Sequence, residues 1–418
     1  MKTEHSFNDR FVFEGKAKTW SLIAILVGIV CIVAGLVFTP EREFSNLLLM
    51  GYYFTCVCAA GGVFCAIQYV AQAGWSASLI RIPQAFVKVL PIAAVILIAI
   101  IASGMFITHT VINEEGKAVV QPYLFAQWAT KGITDPSSPL YDSVVAGKAG
   151  YLNIGFYYTR LIGFLLAYSV LAWMLVKYSE NEDEMGGMIN YKKSFNIGCV
   201  FLLVFGMTFP LFSFDAVMSL EARWYSTMFG WYNLAAAWVT GLATITLLIV
   251  WLKQKGYFSW LNENHLHNMG IFMFAFSVFW TYVWFFQFLL YYYANMPEET
   301  AYFYKRWEPE FKPWFWLNIV INFATPFLML MARDYKRVFK RVKWVAIIII
   351  CGHWLDYYMM IMPDTVGPKG RGFFYQEVGT FIGFAGLFTF LALGALSRFK
   401  SLVPKNHPFL EESLHHQL

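Results

Sequence analysis

This chain is short of charge. Of its 418 residues 14% are Asp, Glu, Lys or Arg, against about a quarter in soluble domains. With 58% hydrophobic residues and 19% aromatic ones, an ordinary soluble fold is excluded. Cysteine is sparse too. Cys31, Cys56, Cys58, Cys65, Cys199 and Cys351 all fall in apolar runs, and no C-x-x-C occurs. That argues against loop disulfides, covalently attached haem and a cysteine-ligated iron–sulfur cluster in this chain. Histidine at depth is almost lacking: His353 lies inside a long apolar run, His109 at the end of one, and the other six in loops or tails. Bis-histidine haem needs two facing histidines and is excluded. No Walker motif and no G-x-G-x-x-G appears, so nucleotide hydrolysis has no support. The net charge of +5 is modest, and no nucleic-acid partner is expected.

Long apolar runs are what the chain does have. A membrane-spanning helix takes about 20 mainly apolar residues. Ten segments qualify, at 20–38, 47–70, 86–108, 154–176, 195–214, 226–252, 269–293, 314–331, 343–362 and 378–397. The fold class predicted is an all-α membrane protein, one integral domain over 1–418. The first run lacks a small-residue cleavage site and reads as a retained span. One connection is long, 109–153; its Pro122, Asp135, Pro136 and Pro139 predict an ordered, turn-rich excursion. An even number of spans puts both termini on one side, which carries 20 of the 31 Lys and Arg, against 10 opposite, with Arg160 inside the fourth span. By the positive-inside rule the termini are cytoplasmic and the excursion extracytoplasmic. Aromatic residues at the outer span ends, such as Trp224, Tyr225, Tyr302 and Trp307, read as an interfacial belt or as the lining of a lateral opening.

Four constellations bear on chemistry. The junction after the fifth span holds Asp215, Glu221 and Arg223. A turn between the two acids would let them converge for proton transfer; the plain alternative is a solvated, capped turn. In the ninth span His353 and Asp356 are three apart, on one helical face near the midplane, where such pairs mark proton or substrate paths or simply tie helices together. Tyr357 and Tyr358 are placed to extend a hydrogen-bonded chain. The approach to span four carries Asp142, Lys148, Tyr151, Asn153 and Arg160, the last set to snorkel or to neutralise a buried carboxylate such as Asp356; Glu377, opening span ten, is another candidate partner. Gln287, Asn318, Asn322, Thr240, Thr244 and Thr281 lie deep in spans, where uncharged polar residues usually make helix–helix contacts.

The stretches KAGYLNIGFYYTR, FSFDAVMSLEARWYSTMFGWY, GHWLDYYMMIMP and QEVGTFIGFAGLF, in that order, resemble the NrfD-like (polysulfide reductase membrane subunit) family across essentially the whole chain. The wording SLEARWYST is similar to the F-type membrane subunits of alternative complex III, a bacterial quinol:cytochrome c oxidoreductase. The resemblance implies two four-helix bundles with flanking spans, in the bacterial inner membrane. It implies a respiratory electron-transport complex that oxidises quinol such as menaquinol at the outer face, with a role for this subunit in assembly and proton translocation. The implied partners are multihaem cytochrome c and iron–sulfur subunits, a paralogous ten-span subunit, and lipids; haems and clusters would sit on those other subunits. Carried over residue by residue, the proton-path candidates are Asp215, Glu221, His353, Asp356 and Glu377, to which the reading of the residues adds Tyr357. The quinone-side candidates carried over are Lys148, Asn153 and Arg160, to which the reading of the residues adds Asp142 and Arg223. These motifs are shared by both paralogues and do not decide which one binds quinol. Two rivals stand beside this expectation: a secondary transporter coupled through His353 and Asp356, and a structural scaffold subunit.

Overall fold

A computed structural model describes residues 10–112, 118–367 and 372–416. Lys2, His5, Lys117, Lys369 and Arg371, part of the sequence argument, lie outside them. Ten helices are long and apolar enough to cross a membrane, as expected. They are α1 (Lys16–Phe38), α2 (Pro40–Val70), α3 (Arg81–Phe106), α4 (Ile154–Met185), α5 (Met188–Ala216), α6 (Thr227–Gln254), α7 (Glu263–Ala294), α8 (Lys312–Leu330), α9 (Phe339–Thr365) and α10 (Tyr375–Leu396).

Most run past their apolar windows, because the caps and end turns are polar. α2 begins seven residues before the expected 47, with Pro40 in its first turn and Glu41 and Glu43 beside the exposed N–H groups. α4 continues through the polar KYSENEDEM to Gly186, whose φ of 65° ends it. α8 is interrupted by a π-helical turn at Val320–Ala324, followed by Pro326 in the first turn of its last segment. The excursion differs from expectation. It holds two short helices, Ala126–Ala129 and Ser143–Gly147, but also an antiparallel hairpin pairing Thr108–Ile112 with Ala118–Pro122.

Helices α2 to α5 pack as one four-helix bundle and α6 to α9 as a second. α2 packs on α6 and α9 and so joins the two; it is buried along almost its whole span. α1 and α10 flank the bundles as a close pair, laid on α2 and α3. Their approach needs glycine: a Cβ on Gly28 would fall 2.2 Å from Gly383 Cα, and one on Gly379 would fall 2.4 Å from the Cys31 side chain. Gly383→Val is therefore expected to part α1 from α10 and lower the thermal unfolding temperature of the purified protein. Gly394→Val, where an added Cβ meets open space, serves as the neutral control; equal unfolding temperatures for the two variants would refute the close contact.

The two described chain ends pack on one face of the bundle. Phe11 lies edge-on to Trp251 and Tyr257 after α6. Ser413 in the C-terminal tail bonds the Ser78 hydroxyl at 2.6 Å and donates to the Trp75 carbonyl at 2.7 Å. His265, expected in a loop, is in the first turn of α7 and meets the Ser413 carbonyl through Nε2 at 2.8 Å. This side is the N-terminal face below.

Candidate functional site

Asp356, in the second half of α9, is fully buried within the second bundle. Each of the other three helices of that bundle sends it a donor. Trp280 Nε1 of α7 donates at 2.9 Å and Asn318 Nδ2 of α8 at 2.8 Å. The Tyr232 hydroxyl of α6 donates to Oδ1, the oxygen that Asn318 also reaches, while Trp280 takes Oδ2. His353, one turn back on α9, holds Nδ1 3.4 Å from Oδ2, and Trp280 packs edge-on to its ring. A carboxylate in this setting needs such donors, since an unpaired buried charge costs several kcal/mol. The π turn of α8 helps to supply them. Asn318 precedes it and Asn322 lies within it; Asn322 donates to Asn318 Oδ1 at 2.6 Å and to the Gly352 carbonyl at 2.9 Å, fixing the Asn318 amide toward Asp356. His353 Nε2 has no hydrogen-bond partner among the described residues.

The sequence pairing of His353 with Asp356 thus holds, while the proposed extension does not. Tyr357 points to the seam between bundles, edge-on to Tyr52 and Tyr53. Tyr358 donates to the Gly372 carbonyl at 3.3 Å. Tyr232 continues the chain instead. Thr240, Thr244 and Thr281 bond carbonyls of their own helices four residues back. Asn318 and Asn322 belong to the site.

A cavity of about 20 Å³ adjoins the cluster, lined by Tyr232, Asn318, Gln287, Tyr302 and Arg306 among others. About 10–15 Å³ suffices for one water, so the space fits a single molecule. Gln287 Oε1, buried in this lining, has no protein partner among the described residues. Beyond the cavity Arg306, from the short helix Pro297–Trp307, is fully engaged. It donates to the Met359 and Met360 carbonyls at 2.8 and 2.9 Å and to Asp364 at 2.7 Å, and stacks over Tyr302. Pro363, inside α9, has no N–H to give the Met359 carbonyl, and Arg306 supplies the donor instead. Lys305 then lies 3.8 Å from Asp364 and pairs with Glu221, which also accepts from Gln127 Nε2 at 3.1 Å. Lys305 is partly exposed. A run of polar groups therefore leads from Asp356 to the face opposite the chain ends.

Asp215 and Glu221 do not converge. Asp215 ends α5 and meets Arg160 of α4 in a buried two-pronged pair, with Nε and Nη2 each 2.8 Å from a carboxylate oxygen. Arg160 also donates to the Tyr151 carbonyl at 3.1 Å and sits over the Tyr151 and Phe156 rings. It neither snorkels nor reaches Asp356, because α4 and α5 are antiparallel neighbours in the first bundle. Ser219 donates to the Asp215 carbonyl at 2.6 Å and tightens the turn. The other quinone-side candidates brace the same loop. Asp142 caps the helix Ser143–Gly147 and accepts from Arg223 at 2.8 Å. Burial acts to raise the Asp142 carboxyl, but Arg223 and the Val144 and Val145 amides outweigh it and hold it below its ordinary value. Lys148 donates to the Ala222 carbonyl at 2.7 Å, and Asn153 caps α4 by accepting from Phe156 N at 2.9 Å.

Glu377 is not the Arg160 partner either. It accepts from Arg42 Nε at 2.6 Å and Asn46 at 3.0 Å, both on α2, and closes the start of α10 through Phe374 N. Glu43 lies fully buried beside it, with Thr380 donating to Oε1 at 3.1 Å. Arg42, Glu43, Tyr232, Trp280, Lys305, Arg306 and Asp364 are the site and ion-pair residues that sequence reasoning passed over. The charged ones lie at span ends, where charge is ordinary; Tyr232 and Trp280 are two among 24 tyrosines and 16 tryptophans. Likewise the expected aromatic belt is partly interior: Trp224 stacks on Tyr302, both buried, while Tyr225, Tyr292, Tyr293 and Tyr304 are exposed. Among the described residues no three His, Cys, Asp or Glu are grouped to hold a metal ion. No family model matches the chain, and no curated protein matches it.

Proposed function

We propose that this chain is an integral subunit of a bacterial respiratory quinol:acceptor oxidoreductase and moves protons for it between the bundle interior and the outer face. The carrying observation is the polar run from Asp356 through Tyr232, the water-sized cavity and the Arg306–Asp364 pair to Lys305 and Glu221. Oxidation of a quinol releases two electrons and two protons. In this proposal the electrons pass to haem and iron–sulfur subunits, and Asp356, with His353 beside it, exchanges protons with the cavity water through the Tyr232 hydroxyl. Asp364 and Glu221 accept them outward, while the permanently charged Arg306 keeps other cations from following. The resemblance to NrfD-like subunits supports the quinol partner, and the excess of Lys and Arg on the N-terminal face supports a cytoplasmic location for that face.

Purification of the tagged full-length chain from its own membranes tests the assembly. Co-purification of c-type haem and iron–sulfur proteins with quinol-oxidising activity is expected. In proteoliposomes, Glu221→Gln should slow proton release by about tenfold or more while the redox subunits stay bound; unchanged release would remove Glu221 from the path. The transporter rival draws on one observation, the π turn that breaks α8 beside Asp356. Solute uptake by the isolated chain, with no redox partner, would favour it over the proposal.

A further inference from the structure

On the N-terminal half of the molecule a cleft of about 600 Å³ opens between α1, α2, α6, α9 and α10. Its walls include Ala24, Met50, Leu247, Ile350, Phe384 and Phe388. Along α10 the lining runs from Phe381 to Leu393, about 18 Å at 1.5 Å per residue. That is close to the hydrocarbon depth of one leaflet, about 15 Å. The volume falls within the range of about 300–1,000 Å³ of ligand sites.

The walls present no free polar group at depth. The Tyr53 hydroxyl donates to the Ile350 carbonyl at 2.8 Å. Ser21, Thr244 and Thr389 each donate to a carbonyl of their own helix at 2.8 Å. A quinone ring, whose two carbonyls need donors, finds none there; a hydrocarbon chain needs none. The mouth is different. Trp20 and Trp251 stand at it, as indoles do at headgroup level. Lys343 lines it, Lys255 lies 6.0 Å over the Trp251 ring, and Lys16 and Lys18 flank the lining residue Ala17 and are exposed. Glu14 is the one acid among residues 10–20.

We propose that this cleft is a binding site for an anionic phospholipid of the leaflet on the N-terminal face, one acyl chain filling the apolar walls and the phosphate facing Lys343 and its neighbouring lysines. Basic pockets between spanning helices bind such headgroups by charge, and the apolar walls set the depth. The site is separate from the Asp356 cluster and does not depend on the quinol proposal.

Native mass spectrometry of the full-length, delipidated protein with dioleoyl phosphatidylglycerol or dioleoyl phosphatidylcholine tests it. The anionic lipid should bind more tightly, with each engaged lysine contributing about fivefold. Lys343→Gln combined with Lys255→Gln should lower that preference by about tenfold or more and leave phosphatidylcholine binding unchanged. Ala385→Trp, which fills the wall, should abolish binding of both lipids while the helical circular dichroism stays intact. Equal affinity for the two lipids, a preference insensitive to the lysine changes, or displacement of bound phosphatidylglycerol by a short-chain menaquinone would each overturn the proposal.

Discussion

Asp356→Asn is expected to cut proton release by about a hundredfold in the assembled complex, the scale of a positioned acid–base group. The reason lies in the donors around it. Trp280, Asn318, Tyr232 and His353 all point at the carboxylate. An amide there removes the proton-binding oxygen and turns an N–H₂ toward groups that are donors themselves. Leaving such donors unmatched costs about 1–3 kcal/mol each, so some loss of stability accompanies the loss of function. Asp356→Glu keeps the acid and should recover part of the activity. Tyr232→Phe, which removes one link toward the cavity, should have a smaller effect than the Asn change. Proton release and quinol turnover in proteoliposomes measure all three. Wild-type turnover and proton stoichiometry in Asp356→Asn, with the partner subunits still bound, would end the proposed role and leave the cluster as a tie between four helices.

Arg160→Met should produce the largest loss of stability. It leaves Asp215, fully buried, without the cation that both of its oxygens contact. Removing one partner of a buried ion pair costs about 3–5 kcal/mol, mostly for the stranded charge. The first bundle should therefore loosen where α4 meets α5, and the turn carrying Glu221 with it. Arg160→Met with Asp215→Leu removes both charges and should regain most of the loss, since a buried pair replaced by apolar groups is often neutral. Unfolding of the detergent-solubilised variants, arranged as a double-mutant cycle, gives the coupling energy. A single Arg160→Met variant as stable as the parent would show that water reaches Asp215 and that the pair carries no structural weight.

The two predictions differ in how much of their basis is visible in the chain. His353 and Asp356 lie one helical turn apart, so their shared face follows from spacing alone. Arg160 stands inside an apolar run, so its burial is legible, but its partner is not. Asp215, Asp356 and Glu377 are all acids at or within spans, and nothing local ranks them. The packing of α4 against α5 selects Asp215, that of α2 against α10 gives Glu377 to Arg42, and Asp356 is left to uncharged donors. The hairpin in the excursion had a local signal, the mostly β-branched segment Thr108–Ile112, which the prolines farther along outweighed.

By itself the sequence determined that ten helices cross a membrane, roughly where, and that charges within them are few enough to matter. Apolar run length and the cost of burying charge suffice for that, since both act locally. The tertiary structure alone decided the partners of those charges: Tyr232, Trp280 and Asn318 on Asp356, with a cavity for one water beside Tyr232 and Asn318, Arg160 on Asp215, and Lys305 on Glu221. Hydrogen bonds and ion pairs act over about 3 Å, and only helix packing brings residues tens to hundreds of positions apart within that reach.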